Sequence, residues 1–214
     1  MDTLTIIARF FQEGGLFMYP IMIVLALGVA IAVERYLFLN NSMKNNTMMW
    51  EQLIPMVKKG EFQQALSVTA KTSVDIGKVL TYGLVRMKGA KRREDIETAM
   101  EEGLMEIMPR LEKRTHYLAT FANIATLLGL LGTIIGLIQA FTAVANANPA
   151  EKADLLSSSI SVAMNTTAFG LMVAIPLLLV YTLLQTKTTE LVDSLEMASV
   201  KFLNIIMEKA TPGA

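Results

Sequence analysis

Three long stretches without a charged side chain limit what this chain can fold into more than any other feature. They cover residues 14–33, 117–150 and 155–186 and are 20, 34 and 32 residues long. The hydrocarbon core of a bilayer is about 30 Å thick, and a helix needs about 20 apolar residues to cross it. A helix in the core of a soluble protein rarely stays uncharged over such a length. The sequence therefore predicts an all-α membrane protein with three long transmembrane helices.

The boundaries of the segments follow from the ends of these stretches and from the turn residues Asn146, Asn148 and Pro149. In chain order we expect a periplasmic N-terminal segment (1–15), transmembrane helix 1 (16–39), a cytoplasmic helical loop (40–116), transmembrane helix 2 (117–145), a periplasmic turn (146–154), transmembrane helix 3 (155–186) and a cytoplasmic helical tail (187–214).

The orientation comes from the distribution of basic residues. Residues 40–116 carry 13 of the 19 lysines and arginines, whereas the turn between spans two and three has only Lys152. Basic residues close to membrane spans stay on the cytoplasmic side. The loop and the tail are therefore predicted inside, and the N-terminus outside.

The cytoplasmic segments have the periodicity of helices. Apolar residues three, four or seven apart form one face over residues 95–118: Ile96, Met100, Leu104, Ile107, Leu111 and Leu118. This helix is expected to run directly into the second span, because Pro109 is its only breaker. Gly60, Gly77 and Gly89 are expected to punctuate shorter helices before it. The tail repeats the pattern at Leu191, Leu195, Ala198 and Phe202, which predicts an extension of the third span.

Several kinds of chemistry are not expected. The chain has no cysteine and one histidine, His116, so no cofactor or metal site is predicted, and no catalytic constellation indicates an enzyme. The basic run Lys91, Arg92, Arg93 is interpreted as facing cytosol and lipid headgroups, with no nucleic-acid partner.

Small residues form a stripe along each of the last two spans, at steps of three or four. In span two the stripe is Ala122, Thr126, Gly129, Thr133, Gly136 and Ala140; in span three it is Ser159, Ala163, Thr167, Gly170 and Ala174. Such stripes have two interpretations, close packing of helices in the membrane or a pore lined by hydroxyl groups. Their spacing does not separate the two.

Neither of these two charge-free stretches contains an acidic residue. The chain by itself cannot supply a carboxylate that relays protons at membrane depth. If it conducts protons or sodium ions, a partner chain is expected to bring the acid. Pro176 leaves the carbonyl of Met172 without its helical hydrogen bond and is expected to bend the third span.

The residues 127–133, L-L-G-L-L-G-T, followed by Gly136, resemble the second-span signature of the MotA/TolQ/ExbB family. T-A-F-G at 167–170 with A-I-P at 174–176 resembles the signature of its third span, and M-Y-P-I at 18–21 resembles the first span of ExbB-like members. Three spans and an outside N-terminus fit the ExbB/TolQ branch better than MotA, which has four spans.

The resemblance implies a pentamer of this chain around two helices of a single-span, ExbD/TolR-like partner. That partner carries an aspartate in its span, and Thr133 and Thr167 match the family's pore threonines beside it. The ion gradient would drive motion that the partner passes to an envelope protein, for which a TonB-like protein is a candidate. The implied location is the bacterial inner membrane.

Two positions depart from the family pattern. Val162 stands where ExbB proteins often have glutamate, which leaves sodium open beside protons, and Thr126 stands where the family usually has proline. The predicted ion pore comprises Thr133, Thr167, Thr126 and Ser159, and the predicted packing residues are Gly129, Gly132, Gly136, Gly170 and Pro176. The alternative function is a non-conducting membrane scaffold that packs through the small-residue stripes.

Overall fold

The computed structural model describes residues 14–90 and 92–210, and within these ranges it contains six helices and no strand. The helices are α1 (Met18–Lys59), α2 (Phe62–Thr69), α3 (Asp75–Met87), α4 (Arg93–Glu112), α5 (Thr115–Asn146) and α6 (Lys152–Ala210). The predicted all-α fold is confirmed. Most of the predicted N-terminal segment, Lys91 and residues 211–214 lie outside the described residues.

Three helical stretches are long and apolar enough to cross a membrane: Met18–Lys59, Arg93–Asn146 and Lys152–Glu208. Only 17%, 22% and 33% of the most apolar 18-residue window in each stretch is buried inside the chain. The remaining apolar side chains need hydrocarbon or another chain around them. The prediction of a membrane protein with three spanning helices agrees with this structure.

The first of two compact units consists, within the described residues, of 14–33 and of Arg114–Leu183. It packs the start of α1, all of α5 and the first part of α6. A Cβ atom on Gly28 of α1 would lie 2.7 Å from Cδ2 of Leu177 on α6, so the missing side chain lets these helices approach closely. Its buried side chains include Met18, Ile21, Leu118 and Val173.

The second unit consists, within the described residues, of Glu34–Lys113 and of 184–210. Its core confirms the predicted apolar faces, because Ile96, Met100, Leu104, Ile107 and Leu111 of α4 and Leu191, Leu195, Ala198 and Phe202 of α6 are all buried. Helix α6 continues without a break through Pro176 to Ala210. The predicted helical extension of the third span is therefore present.

The expected continuity between the loop helix and the second span is wrong. Helix α4 passes through Pro109 and ends at Glu112, and Lys113 is non-helical with φ −49° and ψ 134°. Arg114 then has φ 69°, which is the left-handed conformation that side chains with a Cβ rarely adopt. The break falls on residues that carry no glycine or proline, so the local sequence does not signal it.

The expected role of Gly77 as a helix boundary is also wrong, because it lies inside α3. A Cβ atom there would lie 2.3 Å from Cγ2 of Thr72 and 3.2 Å from Cε of Met49, so Gly77 serves close packing. Gly60 and Gly89 do follow the ends of α1 and α3 as predicted. Gly60 has φ +82°, a conformation that glycine adopts without strain.

Candidate functional site

The two predicted small-residue stripes face each other within the chain, and their glycines bring the backbones of α5 and α6 together. A Cβ atom on Gly170 would lie 2.6 Å from the carbonyl oxygen of Ala125 and 3.1 Å from Cα of Gly129. A Cβ atom on Gly129 would lie 3.2 Å from Cα of Thr167 and 3.3 Å from Cα of Gly170. Backbone atoms cannot rotate out of the way, so this contact excludes larger residues.

The same contact continues along α5 toward its C-terminus. A Cβ atom on Gly132 would lie 2.5 Å from Cγ2 of Thr166, and one on Gly136 would lie 2.8 Å from Cβ of Ala163. All four glycines predicted to pack therefore lie where α5 meets α6. Pro176 differs from them, because it is exposed within the chain.

Thr133 and Thr167 lie on opposite sides of this contact, and their hydroxyl oxygens touch. Thr167 Oγ1 donates to the carbonyl oxygen of Gly129 at 2.8 Å. Thr133 Oγ1 has the same carbonyl at 3.2 Å and that of Ala163 at 3.4 Å. Each hydroxyl has one hydrogen and two lone pairs, so the pair can exchange donors and still offer lone pairs to a third group. Both side chains are half-buried.

The other two predicted pore residues do not join this pair within the chain. Thr126 is exposed, and its hydroxyl donates to Ala122 on its own helix at 3.1 Å. With a rise of about 1.5 Å per residue, Thr126 lies about 10 Å from Thr133 along α5, and Ser159 about 12 Å from Thr167 along α6. The sequence spacing placed Thr126 and Ser159 on the same helix faces as Thr133 and Thr167. The distance along each helix axis nevertheless separates them from the hydroxyl pair.

Thr166 is a polar residue of the site that was not among the predicted pore or packing residues. Its side chain is 2% exposed, and its hydroxyl donates to the carbonyl oxygen of Gly14 at 2.6 Å. This bond ties α6 to the residues that precede α1. The neighbouring Gly15 has φ +74°, so the glycine pair Gly14-Gly15 was the sequence signal for a turn at this place.

The charge-free stretches of α5 and α6 contain no carboxylate that could partner the hydroxyl pair. Threonine hydroxyls can coordinate a cation or hold water, but they do not ionise at neutral pH. The arrangement can therefore solvate an ion or hydrogen-bond to an acidic group of another chain. A proton-binding group would have to come from outside these two stretches.

A model described as the MotA/TolQ/ExbB proton channel family matches residues 71–197. A biopolymer transport protein ExbB homolog of Methanothermobacter thermautotrophicus is 29% identical over 196 residues, which cover 89% of this chain and 67% of that protein. Biopolymer transport protein exbB1 of Vibrio cholerae is 30% identical over 179 residues, 77% of this chain and 73% of that protein. The Tol-Pal system protein TolQ of Haemophilus influenzae is 35% identical over 83 residues, 39% of this chain and 36% of that protein.

Proposed function

Because the chain belongs to the MotA/TolQ/ExbB proton channel family, we propose that it is the channel-forming stator subunit of an ion-driven motor complex. Its place is the inner membrane of a bacterium, where it acts without enzymatic chemistry. The complex energises envelope processes such as TonB-type transport across the outer membrane or Tol-type envelope maintenance. The similarity to proteins named for biopolymer transport and for the Tol-Pal system supports this role.

The hydroxyl pair of Thr133 and Thr167 over the carbonyl of Gly129 is the observation that carries the proposal. Polar groups at membrane depth are costly and usually mark a path for ions or substrates. In the proposed complex, five copies of this chain surround two helices of an ExbD/TolR-like partner. The aspartate of the partner binds the ion beside the hydroxyl pair, and a TonB-like protein receives the motion.

The glycine contact supports the alternative of a non-conducting scaffold. Close approach at Gly129 and Gly170 is what helix packing in membranes requires, with or without an ion path. In a scaffold, the two threonine hydroxyls would only satisfy each other's hydrogen bonding inside the helix contact and would have no role in ion transport. The two functions differ in what they demand of the hydroxyl groups, because packing depends on size and ion solvation depends on polarity.

Replacing each threonine by valine separates the two functions. Thr133→Val and Thr167→Val keep the shape of the side chain and remove the hydroxyl, so stability should change by about 1 kcal/mol or less. We expect at least a tenfold loss of gradient-dependent transport with the complex still assembled. Thr189→Val is the matched control, since this exposed threonine of α6 donates only to Gln185 on its own helix. Wild-type transport in both variants would leave the scaffold function standing.

The same transport assay identifies the ion. The family description favours protons, and Val162 leaves sodium as the alternative. Proton-driven activity should collapse with a protonophore and should not depend on sodium concentration at fixed pH. Activity that follows sodium at fixed pH would assign sodium instead.

Native mass spectrometry tests the assembly. We expect five copies of the chain alone, and five copies with two partner chains after co-expression. A stable monomer or dimer in the presence of the partner would contradict the proposed ring.

A further inference from the structure

A small cavity in the second unit lies where α1, α3 and α6 meet. Its volume is about 170 Å³, which is below the ~300–1,000 Å³ of pockets that enclose drug-sized ligands. Asn46 and Trp50 line it from α1, Ile76 from the first turn of α3, and Ser194, Met197 and Lys201 from α6. The cavity therefore has room for a single polar group and has both apolar and cationic walls.

Asn46 supplies a buried hydrogen-bond donor that has no acceptor among the residues that the structure describes. The backbone N–H of Ile76 lies 3.0 Å from Asn46 Oδ1. Since an N–H can only donate, this bond fixes the oxygen of the amide toward α3 and turns Nδ2 away. Nδ2 is buried without a hydrogen-bond partner, and Asn46 is 4% exposed. A buried donor left unpaired costs about 1–3 kcal/mol, which an acceptor that reaches Nδ2 from the cavity would recover.

The charges around the cavity select for a negative ligand. Lys201 contributes an ammonium group, and the positive end of the dipole of α3, a 13-residue helix, is at Ile76. Asp75 precedes Ile76 and is buried: its Oδ2 accepts from Ser42, and its Oδ1 lies 3.8 Å from Nη1 of Arg110 without a hydrogen-bond partner among the described residues. Asp193, which precedes Ser194, is exposed and does not line the cavity.

We propose that this cavity is an oxyanion site, in which Asn46 Nδ2 and Lys201 bind a phosphate or carboxylate group beside the indole of Trp50. The inference is independent of ion conduction, because it rests only on residues of the second unit. A bound oxyanion would bridge the extension of α1 to that of α6 and would stabilise the second unit by mass action. Inorganic phosphate and the phosphate headgroup of a lipid are two sources of the same chemistry.

Trp50 provides the measurement, because it is the only tryptophan of the chain and it lines the cavity. The full chain, purified in detergent, is titrated with inorganic phosphate and separately with acetate at constant ionic strength. We expect a saturable change in tryptophan fluorescence with at least one of the two anions. Repeating the titration in phosphatidylglycerol nanodiscs identifies the source: a signal that no longer responds to free phosphate assigns the site to the headgroup.

Two variants and a control link the signal to the site. Asn46→Asp keeps an acceptor for the N–H of Ile76, removes the donor and adds a negative charge, so binding should weaken at least tenfold. Lys201→Met removes the cation without touching α3 and should weaken binding as well. Lys58→Met, an exposed lysine of α1 that does not line the cavity, should bind as the wild type does. A missing saturable signal with both anions, or wild-type affinity in both Asn46→Asp and Lys201→Met, would overturn the proposal.

Discussion

Gly170 is the residue at which the packing of α5 on α6 tolerates least change. A Cβ atom would lie 2.6 Å from the carbonyl oxygen of Ala125, so Gly170→Ala forces the two backbones apart. We expect a loss of about 1–3 kcal/mol in the free energy of unfolding, the usual cost of overpacking a core. The measurement is a denaturant titration in mixed micelles followed by helical circular dichroism.

Gly89→Ala is the control for that prediction. Nothing lies within 4 Å of a Cβ atom at Gly89, so this change should stay within about 0.5 kcal/mol of the wild type. Equal stability of the two variants would mean that α5 and α6 can separate without cost at the glycine contact.

Individual residues of the candidate site could be predicted only as far as their spacing allowed. Thr133 and Thr167 were assigned to two stripes, and the structure places their hydroxyls in contact. Thr126 and Ser159 were assigned to the same stripes but lie about two turns away along the helix axes. Spacing identifies a helix face, whereas the register between two helices depends on the glycine contact and on the connection at 147–151.

At the scale of elements, the break between α4 and α5 depends on the left-handed conformation of Arg114. Arg114→Val and Arg114→Asn both remove the arginine side chain, but asparagine tolerates this conformation and a β-branched residue does not. We expect Arg114→Val to be less stable than Arg114→Asn by about 1–2 kcal/mol. Comparing the midpoints of thermal unfolding tests this order, and equal midpoints would show that the backbone at this position relaxes.

Periodicity predicted which faces of the helices are buried but not where each helix ends. The apolar face from Ile96 to Leu111 is buried as expected, because burial follows from the pattern of side chains. The end of α4 at Glu112 was not predicted, because an arginine in a left-handed conformation carries no local signal. Gly77 was assigned to a helix boundary because the sequence does not distinguish a glycine that permits close packing from a glycine that makes a turn.

For the whole molecule, the asymmetry of lysine and arginine predicts how the chain is inserted in the membrane. Reporter fusions at Lys91 and after Lys209 should be cytoplasmic, and a fusion at Asn148 should be periplasmic. Alkaline phosphatase and fluorescent-protein reporters, which are active on opposite sides of the membrane, provide the measurement. A cytoplasmic signal at Asn148 would rule out the topology with three spans and an outside N-terminus.

Sequence alone was sufficient for the class of the whole molecule, because charge-free stretches of 20 to 34 residues have few physical solutions other than a bilayer. Sequence alone did not predict which helix each surface contacts. The small-residue stripes are used within one chain, at Gly129 and Gly170, and no pattern of residue types distinguishes a contact inside a chain from a contact between chains.

The backbone contact between α5 and α6 also limits how this protein can move. A shift of one residue along either axis rotates a helix by about 100° and would bring Leu130 or Leu171 into a gap that accepts only hydrogen atoms. Neither helix can therefore slide or roll past the other by one residue without a steric clash, so α5 and the part of α6 that it contacts move together. In the proposed motor complex, a stroke powered by ions therefore cannot consist of α5 sliding along α6.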